Sequence, residues 1–128
     1  THTIYKALSE TIDQIPTSTN IVLMQTVPQQ LEFQSRTVFY QAINTQTLPM
    51  IQTSRTQHTA TNEPSRQAIV EMANKRENVM TIDPIDIFCD DTTCSYKNNE
   101  TILYTDTNHL NATGARLLTP LISEYLVY

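Results

Sequence analysis

Glycine is almost missing from this sequence. There is one, Gly114, in 128 residues, where average usage of about 7% would give roughly nine. Phosphate-cradling loops, nucleophile elbows and most oxyanion holes need glycine for positive φ or close backbone approach. The chain accordingly holds no P-loop, no GxGxxG and no GxSxG. If it serves an enzyme, the glycine-dependent parts of the site are expected elsewhere. Long apolar runs are also lacking. Mean hydropathy is −0.34, and no stretch approaches the ~18 apolar residues that span a bilayer. No signal-peptide pattern is present, and because the sequence starts at Thr1 an upstream export or membrane segment is compatible with it. Clustered basic charge is the third absence. The net charge is −5, and Lys6, Arg36, Arg55, Arg66, Lys75, Arg76, Lys97 and Arg116 are scattered. A nucleic-acid face needs grouped Lys and Arg to displace counterions, so no nucleic-acid partner is expected.

Cysteine is scarce but placed closely. Cys89 and Cys94, the only two, flank four residues in FCDDTTCSY. The spacing points to a small disulfide loop, worth about 2 kcal/mol in the chain-entropy model, and hence to an oxidising compartment. Free thiols and a metal half-site stay open as alternatives, although zinc needs four ligands at compatible spacing and the nearby acids do not supply them. Asp90 and Asp91 are too small a share of a calcium shell. No metal and no cofactor is expected.

Periodicity gives an α/β order. Ile4, Leu8, Ile12 and Ile15 predict an amphipathic helix over 3–15, ended by Pro16. IVLMQTV over 21–27 reads as a buried parallel strand, stopped by Pro28. Val38, Phe39, Ala42 and Ile43, at helical spacing, predict a helix over 37–46. The Thr- and Gln-rich stretch 47–62 reads as a loop in which His58 is solvated. A helix is expected over 63–75, with Pro64 near its first turn, and a second strand over 79–82. The cysteine loop then occupies 85–99, a short extended piece 101–104 and a polar loop 105–111. A last helix over 112–126 should be kinked by Pro120. Strands joined by helical crossovers imply a parallel sheet with helices packed on it, in one domain at this length. Two strands are few for such a sheet, which suggests further strands outside this sequence.

Asp106-Thr-Asn-His109 is the candidate chemistry. Functional residues of open α/β sheets gather in loops at strand carboxyl ends. A carboxylate three residues before an imidazole can reach back to it, fix its tautomer and stabilise its protonated form. The second ring nitrogen is then left to take a proton from a hydroxyl nucleophile. By itself D-x-x-H is common. Its alternative reading is that Asp106 caps a turn or the final helix and His109 is a solvated loop residue. His2, near the terminus, is expected to be inert. Asn99-Glu-Thr101 and Asn111-Ala-Thr113 match glycosylation sequons, and Gly114 is expected to let the final helix approach the sheet.

The run DPIDIFCDDTTCSYKNNETILYTDTNHLNATGARLL resembles the end of the SGNH hydrolase domain fused to membrane acyltransferases of the acyltransferase-3 type. The likeness rests on a strand ending in Asp83-Pro84, the pair Cys89 and Cys94, Leu103-Tyr104, the Asp106-x-x-His109-Leu110 block, and Asn111-Ala-Thr-Gly114-Ala115 opening the last helix. The segment IVLMQTVPQ is similar to the family's strand ending in Val-Pro. The resemblance implies an SGNH-like (flavodoxin-like) parallel sheet, with Asp106 orienting His109 as the general base of a Ser-His-Asp triad. It implies a bacterial O-acyltransferase or esterase acting on a cell-surface polysaccharide such as lipopolysaccharide O-antigen. The expected partners are an acylated sugar or polysaccharide and an upstream membrane acyltransferase domain, at the periplasmic face of the inner membrane. The family's serine sits in a G-D-S-type block, which this sequence does not contain; its oxyanion-hole residues also belong to blocks normally upstream. The chain thus reads as the C-terminal part of such a domain, inactive alone. A non-catalytic SGNH-like module binding glycan or protein is the alternative, and missing strands would leave an apolar sheet edge for a homodimer to cover.

Overall fold

A computed structural model describes residues 2–126; Thr1, Val127 and Tyr128, included in the expected single domain, lie outside the described residues. Helix α1 (His2–Ile12) leads into strand β1 (Ile21–Met24), which pairs in parallel with β3 (Val79–Ile82) from Ile21↔Val79 to Met24↔Ile82. One further rung extends the ladder, from the Gln25 N–H to the Ile82 carbonyl at 2.8 Å. Between them come α2 (Ser35–Thr45), β2 (Gln52–Ser54) and α3 (Arg55–Lys75). After β3 follow α4 (Ile85–Phe88), β4 (Thr93–Ser95), β5 (Lys97–Asn98), β6 (Thr101–Ile102), α5 (Ala112–Arg116) and α6 (Thr119–Ser123). The strand–helix–strand order with a parallel pair is the α/β fold that the sequence implies.

Two apolar clusters hold these elements. Ile12 of α1, Met72 of α3 and Val79 of β3 form one, with Leu8, Ile21 and Leu23 packed against it. Alternate residues of β1 therefore face α1 and α3, as the period of two in a strand requires. The larger cluster joins Phe33, Val38, Phe88, Tyr96, Tyr104 and Leu118. Phe33 stacks on Tyr96 at 4.9 Å between centroids, and Phe88 meets Tyr104 edge-on at 5.9 Å. The Cys89–Cys94 disulfide lies in this cluster. Cys94 is in β4, which runs antiparallel to β2. Asp90 closes the loop between the cysteines by accepting from the N–H groups of Thr92 and Thr93, both at 2.8 Å. Those donors hold its carboxyl below the usual carboxylate range.

Several elements depart from the sequence expectation. Helix α1 ends at Ile12, and Ile15 is left at the surface. Residues 47–62 are not a loop: they contain β2 and the first two turns of α3. Ser54 starts α3 by accepting from the Gln57 N–H, so Pro64 lies inside the helix rather than at its start. The cysteine region holds α4 and β4 instead of a bare loop. The last helix is two short ones. Pro120 sits in the first turn of α6, where a missing N–H costs nothing, so the chain restarts there rather than kinking. Helix α2 forms as expected, and among those four residues only Val38 is buried; Phe39 and Ile43 point to water.

Candidate functional site

Residues 103–114 build the site. Strand β6 ends at Ile102, and the chain continues extended through Leu103 and Tyr104, both buried. Here β6 pairs with β5 in an antiparallel hairpin, so the segment before the polar loop is not a strand of the parallel sheet. The loop closes on itself. Tyr104 bridges Leu110, the Thr105 N–H donates to the His109 carbonyl at 2.8 Å, and the Asn111 N–H donates to the Leu103 carbonyl at 2.9 Å. Two contacts tie it to the segment after β1. The Tyr104 hydroxyl donates to the Pro28 carbonyl at 2.7 Å. The Gln30 N–H donates to the Thr107 carbonyl at 2.7 Å. The loop therefore reaches the carboxyl-end side of β1 through Pro28 and Gln30. Burial pushes the Tyr104 hydroxyl up to about 12, so it remains a donor throughout the neutral range.

Asp106 and His109 come together. His109 Nδ1 lies 2.8 Å from Asp106 Oδ2 and 3.0 Å from Oδ1. Oδ1 also accepts from the N–H groups of Asn108 at 2.9 Å and His109 at 2.8 Å. The carboxylate thus caps a turn and binds the ring at once, because the Asp side chain is short enough to serve N–H groups two and three residues on. Its pKa is held below the ordinary carboxylate range, first by the Asn108 N–H and then by the His109 ring. Both side chains are open to water, 50% exposed for Asp106 and 72% for His109. At such exposure the ion pair itself contributes little; the geometry comes from the turn. An acceptor bonded to Nδ1 favours the tautomer with hydrogen on Nδ1. Among the described residues no side chain is hydrogen-bonded to Nε2.

The alternative of Asp106 capping the last helix is not what forms. That cap is Asn111, whose Oδ1 accepts from the Gly114 N–H at 2.9 Å while its Nδ2 donates to the Ile102 carbonyl at 2.7 Å. One amide thereby joins the strand before the dyad to the helix after it. Gly114 makes that approach feasible. Its φ is not in the left-handed region; instead a Cβ would overlap the Leu103 carbonyl oxygen and crowd Leu110 Cδ2 at 3.2 Å. The reason for the only glycine is close packing against the segment before the dyad.

Sequence reasoning missed two buried polar residues. Gln30 is fully buried and its Oε1 accepts from Thr53 Oγ1 at 3.3 Å. His58, expected in solvent, is 3% exposed on α3, with Nδ1 3.1 Å from Asn62 Nδ2. Burial, and then the nearby Arg66 charge, lower its pKa. The Gln30 position followed a Val-Pro strand end, which was the only available signal; the His58–Asn62 spacing of four fits one helix face. His2 stands at the start of α1. A cavity of about 600 Å³ opens between α3 and the ends of β1 and β3, lined by Gln25, Glu63, Arg66 and Asp83 among others. It does not include the dyad. Among the described residues no helix is long and apolar enough to cross a membrane.

No curated protein and no solved structure matches the chain. A family model described as "SGNH domain (fused to AT3 domains)" matches residues 1–124. With nearly all its length covered, and with the Asp-His loop, the Asn-capped helix and the parallel strand pair in place, the chain belongs to the SGNH domain family found fused to AT3 domains.

Proposed function

We propose that this chain supplies the orienting acid, Asp106, and the general base, His109, of a Ser-His-Asp acyltransferase or esterase. The observation that carries the reading is the Nδ1–Oδ2 distance of 2.8 Å with Nε2 left without a side-chain partner among the described residues. In this reading the serine comes from a G-D-S-type block outside these 128 residues. Its Oγ attacks an acyl carbonyl, its proton passes to His109 Nε2, and that proton leaves with the departing group. A sugar hydroxyl then attacks the acyl-serine and gives its proton to Nε2, which returns one to the serine oxygen. The proposed acceptor is a cell-surface polysaccharide, the acyl group acetyl, and the site the periplasmic face of a membrane protein containing an AT3 domain.

The test uses the intact AT3-fused protein. Ester turnover should fall roughly 10²- to 10⁴-fold in His109→Ala, the range a general base contributes, with a loss of similar order in Asp106→Asn. Unchanged turnover in His109→Ala overturns the assignment. One observation favours a second reading, a non-catalytic glycan- or protein-binding module: Asp106 is 50% exposed, whereas the orienting aspartate of a serine-protease triad is buried. That reading expects polysaccharide or protein binding that survives both substitutions.

A further inference from the structure

Helix α2 is amphipathic in the wrong sense for a globular core. Val38 is buried, whereas Phe39, Tyr40 and Ile43 are 55%, 70% and 77% exposed, and Met50 after the helix is 81% exposed. Arg36, Phe39, Tyr40 and Ile43 fall at i, i+3, i+4 and i+7, one stripe of the helix. Scattered surface apolar residues are ordinary; two aromatics and two large aliphatics in one short segment are not.

The charge pattern singles out the same segment. The chain has 13 acidic residues and a net charge of −5, yet no Asp or Glu occurs between Glu32 and Glu63. Arg36 and Arg55 are the Lys or Arg residues in that span, and Arg55 is bound to Asp86 at 2.7 Å. Arg36 is therefore the charge beside the apolar stripe. Helix α2 itself carries no carboxylate, so the repulsion of an acidic protein by an anionic surface is weaker over such a face.

We propose that this face of α2 docks on a lipid bilayer carrying anionic headgroups. Phe39 and Ile43 would enter the acyl boundary, Tyr40 would sit at headgroup level, and Arg36 would lie against phosphate, the distribution of an interfacial amphipathic helix. The side chains protrude from a convex helix. A protein partner would need a groove shaped to them, whereas a fluid bilayer closes around whatever is presented. Membership of a family fused to AT3 domains brings a bilayer within tether range, so a weak contact suffices to set the domain's orientation. The proposal needs neither Asp106 nor His109 and stands or falls separately from the catalytic reading.

The sequence contains no tryptophan, so Phe39→Trp creates a single reporter. Its emission should shift to the blue with vesicles of phosphatidylcholine plus phosphatidylglycerol, and shift less with phosphatidylcholine alone. Gln14→Trp, on the exposed turn after α1, should not respond. Adding Ile43→Ser to Phe39→Trp should lower vesicle affinity roughly tenfold, the effect of withdrawing one large aliphatic side chain. No shift with either vesicle, or an equal shift at Gln14→Trp, overturns the proposal. Equal binding to neutral vesicles overturns the anionic requirement. A dimer of the unsubstituted chain in sedimentation velocity that Ile43→Ser dissolves would assign the face to a second copy instead and likewise overturn it. Circular dichroism of each variant controls for folding.

Discussion

Replacing Gly114 by alanine tests the packing that fixes the dyad. The added methyl would overlap the Leu103 carbonyl oxygen, a backbone atom that cannot rotate away, and also crowd the carbonyl carbon at 3.1 Å. The same oxygen accepts the Asn111 N–H. Helix α5 must retreat, and that bond and the Asn111 Nδ2 bond to Ile102 must stretch or break. Overpacking of this kind costs about 1–3 kcal/mol, and a buried carbonyl left unpaired costs a further ~1–3 kcal/mol. The helix-propensity gain from Gly to Ala opposes this by ~1 kcal/mol. The expected net destabilisation is about 1–5 kcal/mol, read as a lower urea midpoint with unchanged m-value. The His109 ring and amide resonances should shift in the same variant, because the loop they belong to is anchored on Leu103. A change within ~0.5 kcal/mol, the range of neutral surface substitutions, or a stabilisation, would refute the close-approach argument and leave Gly114 without a structural reason.

Further outcomes follow from other parts of the molecule. Replacing both Cys89 and Cys94 by alanine should cost about 2 kcal/mol from loop entropy plus the packing lost in the larger cluster; an unchanged urea midpoint would refute the pairing. The His58 pKa is lowered from 6.5, so its contribution is complete above that value and is lost as pH falls from there through its folded value. Urea midpoints compared at about pH 7.5 and about pH 5 should fall in the wild type more than in His58→Gln; equal falls would refute it. The Asp106 pKa is lowered from 3.8, so the turn should survive as pH falls to that value and come apart only below it. Amide shifts of Asn108 and His109 report this directly, and a midpoint at or above 3.8 would contradict the hydrogen-bond geometry.

What was legible in the sequence is what local pattern controls. The presence of helix α1 and strands β1 and β3 follows from their apolar pattern. Their ends do not all follow from the prolines: α1 stops at Ile12 ahead of Pro16, and β1 stops at Met24 ahead of Pro28 with Val22 and Met24 exposed rather than buried. The reach of Asp106 to His109 follows from a three-residue spacing and a short side chain. The start of α3 was not legible, because Thr56, Thr59 and Thr61 have low helix propensity and it is the burial of His58 that settles the matter. Pro64 suggested a beginning, although tertiary packing carries the helix through it. The outward stripe of α2 has the same spacing as an inward one, and periodicity does not say which side faces the core. Gln30 and Asn111 act through partners that are close in space but distant or unremarkable in sequence, so their clamping of the dyad appears only in three dimensions.

Most of the bonds that shape the Asp106–His109 turn form within residues 103–114: the Thr105–His109 and Leu103–Asn111 rungs, the Asx turn and the Asn111 cap. Contacts of such short sequence separation form with little loop-closure entropy and belong to the fast, local part of folding. The Asp106–His109 turn can therefore assemble early and hold its geometry before it docks on Pro28 and Gln30. On the proposed function, a nucleophile contributed from elsewhere need only be delivered to it.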